Sequence, residues 1–165
     1  MPNGVSLSSD ESKVFFAAGL SILAYDVRTG ALSEVLGNLM GIPDNLRPHP
    51  TVRGRYLQAF ASLRAQPFSL PDFLAPYPKV RDAIVALLPE RTAAWAFERL
   101  VKRIGLVAEL DLESAQPRVV STWQDRTGRL LWLSEVHKHG DAVYIGSWHE
   151  AHLVKMDLAD FLNAV

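Results

Sequence analysis

Three stretches of this chain follow one plan, and that plan limits the folds open to it. SILAYDVRTGALSEV, LVAELDLESAQPRVV and HLVKMDL each run an apolar–polar alternation into an aspartate, at Asp26, Asp111 and Asp157. A short apolar run precedes each of them: VFFAAG, YLQAFA and VYIGS. Alternation of period two is the mark of a half-buried strand. Further short runs fit the same reading: Gly4–Ser9, Pro117–Asp125 and Leu130–Lys138. Asp111 and Asp157 are 46 positions apart, whereas Asp26 and Asp111 are 85 apart. Repeats of about 40 to 50 residues, each of several short strands, are what a β-propeller is built from. A β-sandwich with similar hairpins is the alternative on pattern alone.

The excess between the first two aspartates has its own period. From Ser69 to Gly105 the apolar residues fall three and four apart. Val80, Ile84, Leu87 and Leu88 make one helical stripe, and Ala94, Phe97, Val101 and Ile104 make a second over Ala93–Arg103. Pro76, Pro78 and Pro89 punctuate these helices, and Gly105 stands where a C-cap glycine would. The expected organisation is therefore an all-β partial propeller over residues 1–165, with a helical insertion over 69–104. About three blades are present, whereas propellers close with four to eight. An open arc needs further blades, or another copy of the chain, to close it. Apolar faces are expected near Val5–Leu7 at one end and on the last blade at the other.

Composition removes several function classes. A net charge of −1 leaves no electrostatic footprint for nucleic acid. There is no cysteine, so disulfides and thiolate chemistry are absent. No apolar run reaches the length of a membrane span. MPNGVSLSSDES lacks the basic and apolar regions of a signal peptide, so no leader is expected there. A strand begins almost at once, which points to a piece of a larger propeller.

PNGVSLSSDES, GIPDNLR, FLAPYPKVRDAIVALLP, GLVAELD and AVYIGSWHEAHLVKMDL occur in this order along nearly the whole chain. In these motifs the chain resembles the C-terminal half of the strictosidine synthase-like family, a relative of the paraoxonases and gluconolactonases. The resemblance implies a six-bladed propeller, of which this chain is about three blades. It implies a calcium ion near the central channel, held by Asn and Asp side chains at the starts of innermost strands. Asn3 in PNG, and Asp44 with Asn45 in PDN, match those positions. Calcium takes six to eight hard oxygen ligands, which suits these side chains. Read without the resemblance, Asn3-Gly4 and Pro43-Asp44 are turn chemistry ahead of a strand.

The activity implied is that of a calcium-dependent hydrolase of the esterase or lactonase type, acting on a small ester. The alternatives are a non-catalytic propeller serving as an interaction module, and an inactive fragment. Membrane association would run through an N-terminal part that this region lacks. The catalytic glutamate of strictosidine synthase falls here at Ser134, and alternation turns its neighbour Glu135 to the other face, so that amine–aldehyde condensation is not expected. His149, after YIGSW, is the candidate catalytic base if it faces the channel mouth; a plain surface histidine is the other reading. His137 and His139 in HKHG share one strand face and could bind a metal, the other reading being an exposed hairpin end. Trp132, Trp148 and Tyr144 read as blade packing, and RLVKR (99–103) as the wet face of a helix.

Overall fold

The computed structural model describes residues 2–64, 69–74, 76–92, 95, 104–125 and 127–164. They fall into two compact units, Met1–Ser62 with Arg103–Val165, and Leu63–Lys102.

The first unit is built of three antiparallel sheets, and the chain is mostly β. The first sheet is a meander of β1 (Pro2–Leu7), β2 (Lys13–Ala18), β3 (Ser21–Asp26) and β4 (Leu32–Leu36). The second is β5 (Gly41–Pro48), β6 (Arg55–Leu63), β7 (Gly105–Asp111) and β8 (Arg118–Asp125). The third has three strands, β9 (Leu133–His139), β10 (Ala142–Ser147) and β11 (Val154–Asp157). Such sheets are consistent with propeller blades. The described residues form three of them and not a closed ring.

The repeated aspartates now have a physical reason. Asp26, Asp111 and Asp157 each end the third strand of their sheet. Asp26 Oδ1 accepts the backbone N–H groups of Arg28 and Thr29, and Asp111 Oδ1 accepts that of Ser114. Each carboxylate forms the turn into the fourth strand. After Asp157 the chain instead enters a short helix, Leu158–Ala164, whose Phe161 is buried against Leu57, Leu133 and Ile145 between the second and third sheets.

The first strands of the sheets lie side by side, β1 against β5 and β5 against β9. Two glycines set how closely elements approach. A Cβ on Gly4 would lie 2.2 Å from the Asp44 carbonyl oxygen and 2.6 Å from the Leu46 nitrogen, so only glycine lets β1 lie this near β5. Gly105 is the first residue of β7, and the helix it was expected to cap lies outside the described residues. A Cβ there would lie 2.6 Å from the Leu130 carbonyl oxygen, so its smallness serves packing between sheets.

GIPDN is not a turn leading into a strand. It is the body of β5 itself. Proline removes a ladder donor and is confined to edge strands. β1 and β5 are both edge strands, and they carry Pro2, Pro43 and Pro48.

Within the second unit, α1 spans Leu70–Leu74 and α2 spans Pro78–Leu87. Proline in the first turn of α2 costs no hydrogen bond. Arg64 Nε donates to Asp72 Oδ2 at 2.7 Å and ties the start of the unit to α1. The stripe Val80, Ile84, Leu87 and Leu88 does not become core. It lines an open apolar cleft of about 490 Å³, and Leu87 is 82% exposed. The expected helix Ala93–Arg103, with Ala94, Phe97 and Val101 and the RLVKR stretch, lies outside the described residues apart from Trp95.

The two end faces of the sheet stack differ. Val5 and Leu7 are exposed, as expected for an uncovered blade. The outward side of the third sheet is mixed: His137, His139, Lys155 and Asp157 share it with Ala142 and Tyr144, and Trp148 and Leu153 are exposed in the same region.

Candidate functional site

Asn3 and Asp44 lie 41 residues apart in sequence on strands of two different sheets. The close approach at Gly4 brings them together, and Asn3 Nδ2 donates to Asp44 Oδ1 at 2.6 Å. Asp44 is partly buried. Burial pushes its carboxyl pKa up, and the negative charge of Glu135 adds to this, while the bond from Asn3 works the other way. Asn45 follows on β5. Its backbone carbonyl accepts Gln58 Nε2 at 3.1 Å, and among the described residues its side chain makes no hydrogen bond.

The next contact along β5 reaches the third sheet. Arg47 Nε donates to Glu135 Oε1 and Oε2 at 3.0 and 3.1 Å, and Nη2 donates to Oε2 at 2.6 Å. This forked pair is partly exposed. Sequence reading set Glu135 aside and did not find Arg47. The two are 88 residues apart, and nothing in local spacing links them.

The oxygen donors suit calcium in kind. A carboxylate at Asp44 and amides at Asn3 and Asn45 are hard ligands. Half a turn of the Asn3 amide would offer Oδ1 in place of Nδ2 toward the space beside Asp44. These three side chains fall short of a full shell of six to eight oxygens. Among the described residues no three His, Cys, Asp or Glu side chains gather into a group that could hold a metal ion.

His149 is placed by its own sheet. Its ring meets Trp132 edge-on with centroids 4.1 Å apart, and Trp132 stacks on Trp148 at 5.3 Å. The Ser147 hydroxyl accepts the backbone N–H groups of His149 and Glu150 at 3.1 Å and fixes the turn. His149 Nδ1 lies 3.8 Å from Glu150 Oε1, and the imidazole is half-exposed. The contacts that hold it are with these neighbours and not with Asn3 or Asp44. His137 and His139 are exposed at the β9–β10 hairpin end, next to Gly140 at φ +59°.

Two other polar groups act as locks. At the far end of β5, Glu109 accepts from Arg55 Nη1 and from Ser121 Oγ, each at 2.7 Å. Burial opposes the Glu109 charge, but these bonds outweigh it and hold its pKa down. His49, pushed down by burial, accepts the Val52 N–H at Nδ1, 3.0 Å away. At the far end of β1, the Glu113 carboxylate accepts the Tyr56 hydroxyl at 2.5 Å and the Ser9 N–H at 2.8 Å, and also the Ser9 hydroxyl. Tyr56 donates to the Leu7 carbonyl as well. The first two sheets are thus tied at both ends of β1.

No family model matches the chain. Curated proteins do. The adipocyte plasma membrane-associated protein of Rattus norvegicus is 30% identical over 164 residues, covering 95% of this chain and 41% of the rat protein. Those of Danio rerio and Homo sapiens are also 30% identical, over 96% and 95% of this chain and 38% and 37% of their own lengths. The chain spans about two fifths of the length of these relatives. Identity at this level along nearly all of the chain, in fish and mammal alike, makes it a member of the strictosidine synthase-like family.

Proposed function

We propose that the chain is about three blades of a six-bladed propeller whose complete form is a calcium-dependent hydrolase of small esters or lactones. The observation that carries this reading is the Asn3–Asp44 contact, which sets an amide and a carboxylate together at the meeting of two first strands. Asn3 and Asp44 would hold the ion, with the side-chain amide of Asn45 adjacent on the strand. Calcium, when bound, polarises an ester carbonyl and stabilises the oxyanion that develops on it. Asp44 is a strained anion without a cation: it is partly buried and close enough to Glu135 to feel its charge. Arg47 neutralises Glu135 and keeps that second carboxylate in place. His149 supplies the base, a half-exposed imidazole oriented by Trp132 and Glu150, which can take a proton from an attacking water. The relatives are named as membrane-associated, which supports work at a membrane surface for the whole protein. Among the described residues no helix is long and apolar enough to cross one.

The open apolar cleft of α2 favours one other reading, a non-catalytic module that binds a partner through its helices. Calorimetric titration of calcium into the whole protein separates the possibilities. Asp44→Ala is expected to weaken binding by at least about tenfold, or roughly 1.4 kcal/mol, and to lower hydrolysis of a chromogenic aryl ester with it. Equal calcium affinity in both proteins would remove Asp44 from the site. Intact calcium binding without hydrolysis of any ester or lactone would favour the module.

A further inference from the structure

Asn3-Gly4 is the one Asn-Gly pair in the chain: Asn38, Asn45 and Asn163 precede Leu39, Leu46 and Ala164. An asparagine before glycine carries a reaction of its own. The glycine nitrogen can attack the side-chain amide carbon, because no Cβ hinders its approach and the glycine backbone turns freely. A sequence can escape this by changing the glycine, but here that route is closed. A Cβ at position 4 would lie 2.2 Å from the Asp44 carbonyl oxygen and 2.7 Å from Asn45 Cα. The ladder is also interrupted at the attacking nitrogen. Asn3 pairs with Ala17 and Val5 with Phe16, so Gly4 has no partner residue on β2. A bulge of this kind leaves its extra residue unpaired. β1 is an edge strand, and Asn3 is exposed. Its amide is held by the hydrogen bond from Nδ2 to Asp44 Oδ1 at 2.6 Å.

We infer that Asn3 is a site of spontaneous deamidation, which turns the neutral side of the β1–β5 junction into a second carboxylate beside Asp44. The Gly4 nitrogen forms a bond to Asn3 Cγ, and the bond from Cγ to Nδ2 breaks. The departing nitrogen takes up the proton that Gly4 loses and leaves as ammonia. Water then opens the five-membered imide, to aspartate through one carbonyl or to isoaspartate through the other. The sum is an amide plus water giving an acid plus ammonia, with no oxidant or cofactor. An extended strand holds the nitrogen away from Cγ, so attack follows local opening, which is easiest where few contacts hold the backbone. The product changes the junction in kind. An amide that donates to an acid becomes a second acceptor, and two carboxylates at this spacing disfavour each other's ionisation. In isoaspartate the main chain also gains one carbon, which displaces β1 against β2. The modification needs only the Asn3–Asp44 geometry. Its effect on calcium rests on the ion site proposed above, where a second charge would favour a divalent cation.

Peptide mass mapping of the whole protein during storage in chelator is the test, with released ammonia measured alongside. Asn38, Asn45 and Asn163 serve as internal comparators. In the folded protein the mass gain of amide-to-acid conversion is expected at Asn3, several-fold faster than at the other three. It should run faster in mildly alkaline than in mildly acidic buffer, because the attacking nitrogen must lose its proton. Asp44→Ala frees the amide and should raise the rate further. Conversion at Asn3 no faster than at the comparators would overturn the inference. So would conversion that appears only after unfolding in urea, since the folded junction would then shield the amide. Asn3→Asp makes the product directly and should melt lower than the parent at pH 7 in chelator. An unchanged melting temperature would mean that no charge is added beside Asp44, and would overturn it too. Calcium is absent from every sample, so this inference can fail while the hydrolase reading stands.

Discussion

The strand β5 meets a neighbour on either side, and the two junctions are made differently. Toward β1 the strands touch backbone to backbone at Gly4, and the polar contact is a neutral amide on an acid. Toward β9 the contact is a forked ion pair between long side chains. The first junction leaves a carboxylate with unspent charge at a close approach. The second cancels its charges and spans its gap with flexible groups. The first junction, closed sterically but open electrostatically, is the one proposed above to take a cation. One that is closed electrostatically is a strut.

The contrast predicts unequal responses to substitution. The largest effect should come at Gly4. Gly4→Ala places a methyl inside van der Waals range of backbone that cannot rotate away, and should cost about 3 kcal/mol in urea unfolding, at the upper end of overpacking effects. A loss below about 1 kcal/mol would mean that the junction yields, and the contrast would go with it. A smaller effect is expected at the strut. A double-mutant cycle on Arg47→Ala and Glu135→Ala should give a coupling of about 1 kcal/mol, the upper range for a partly exposed pair. Most of it should vanish in 1 M salt. A coupling indistinguishable from zero at low salt would show that the fork contributes only geometry.

The smallest effect concerns Asp44, and its sign is informative. Its folded pKa is raised, chiefly by burial, so between the ordinary carboxylate pKa and the raised one the folded state holds more protons than the unfolded. Stability linked to this group is complete below that window and declines as pH rises through it. With calcium removed by chelator, Asp44→Asn should therefore melt higher than the parent at pH 7 and equal to it near pH 3. A lower melting temperature at pH 7 would mean that the Asn3 contact stabilises the ionised form and that the charge is already satisfied.

Much of the sheet architecture could be read from alternation. The matched runs VFFAAG, YLQAFA and VYIGS are the second strands, and the aspartates end the third ones. The strand that matters most to the site was hidden, because Gly41, Pro43, Asp44 and Asn45 are all turn formers. Their place on an edge, where a missing N–H costs nothing, is set by the sheet as a whole. The helical period of α2 was legible, but period alone does not say whether a stripe is covered. Asn3, Asp44 and Asn45 were candidates through family likeness, while the contact between the first two follows from Gly4. Arg47 and Glu135 were beyond local reading, since their pairing depends on strand order. The repeat also concealed an asymmetry. In the third sheet, Phe161 on a helix packs where a fourth strand would otherwise follow Asp157.

The helical segment interrupts the second sheet between β6 and β7, at a point where the first sheet uses a turn of two residues, Gly19 and Leu20. The entropy of closing a loop grows only with the logarithm of its length, about 0.6 kcal/mol for each doubling. Widening that connection to the span between Leu63 and Gly105 thus costs roughly 2 to 3 kcal/mol. The β6–β7 ladder recovers it through pairs such as Tyr56 with Leu110 and Ala59 with Val107. The sheet sets its own register and does not take it from the connection. During synthesis the first sheet can form from neighbouring hairpins as it emerges, whereas the second must wait for the whole insertion before β7 arrives. An insertion held so loosely by the energetics of its host is free to vary in length and composition while the scaffold around it stays the same.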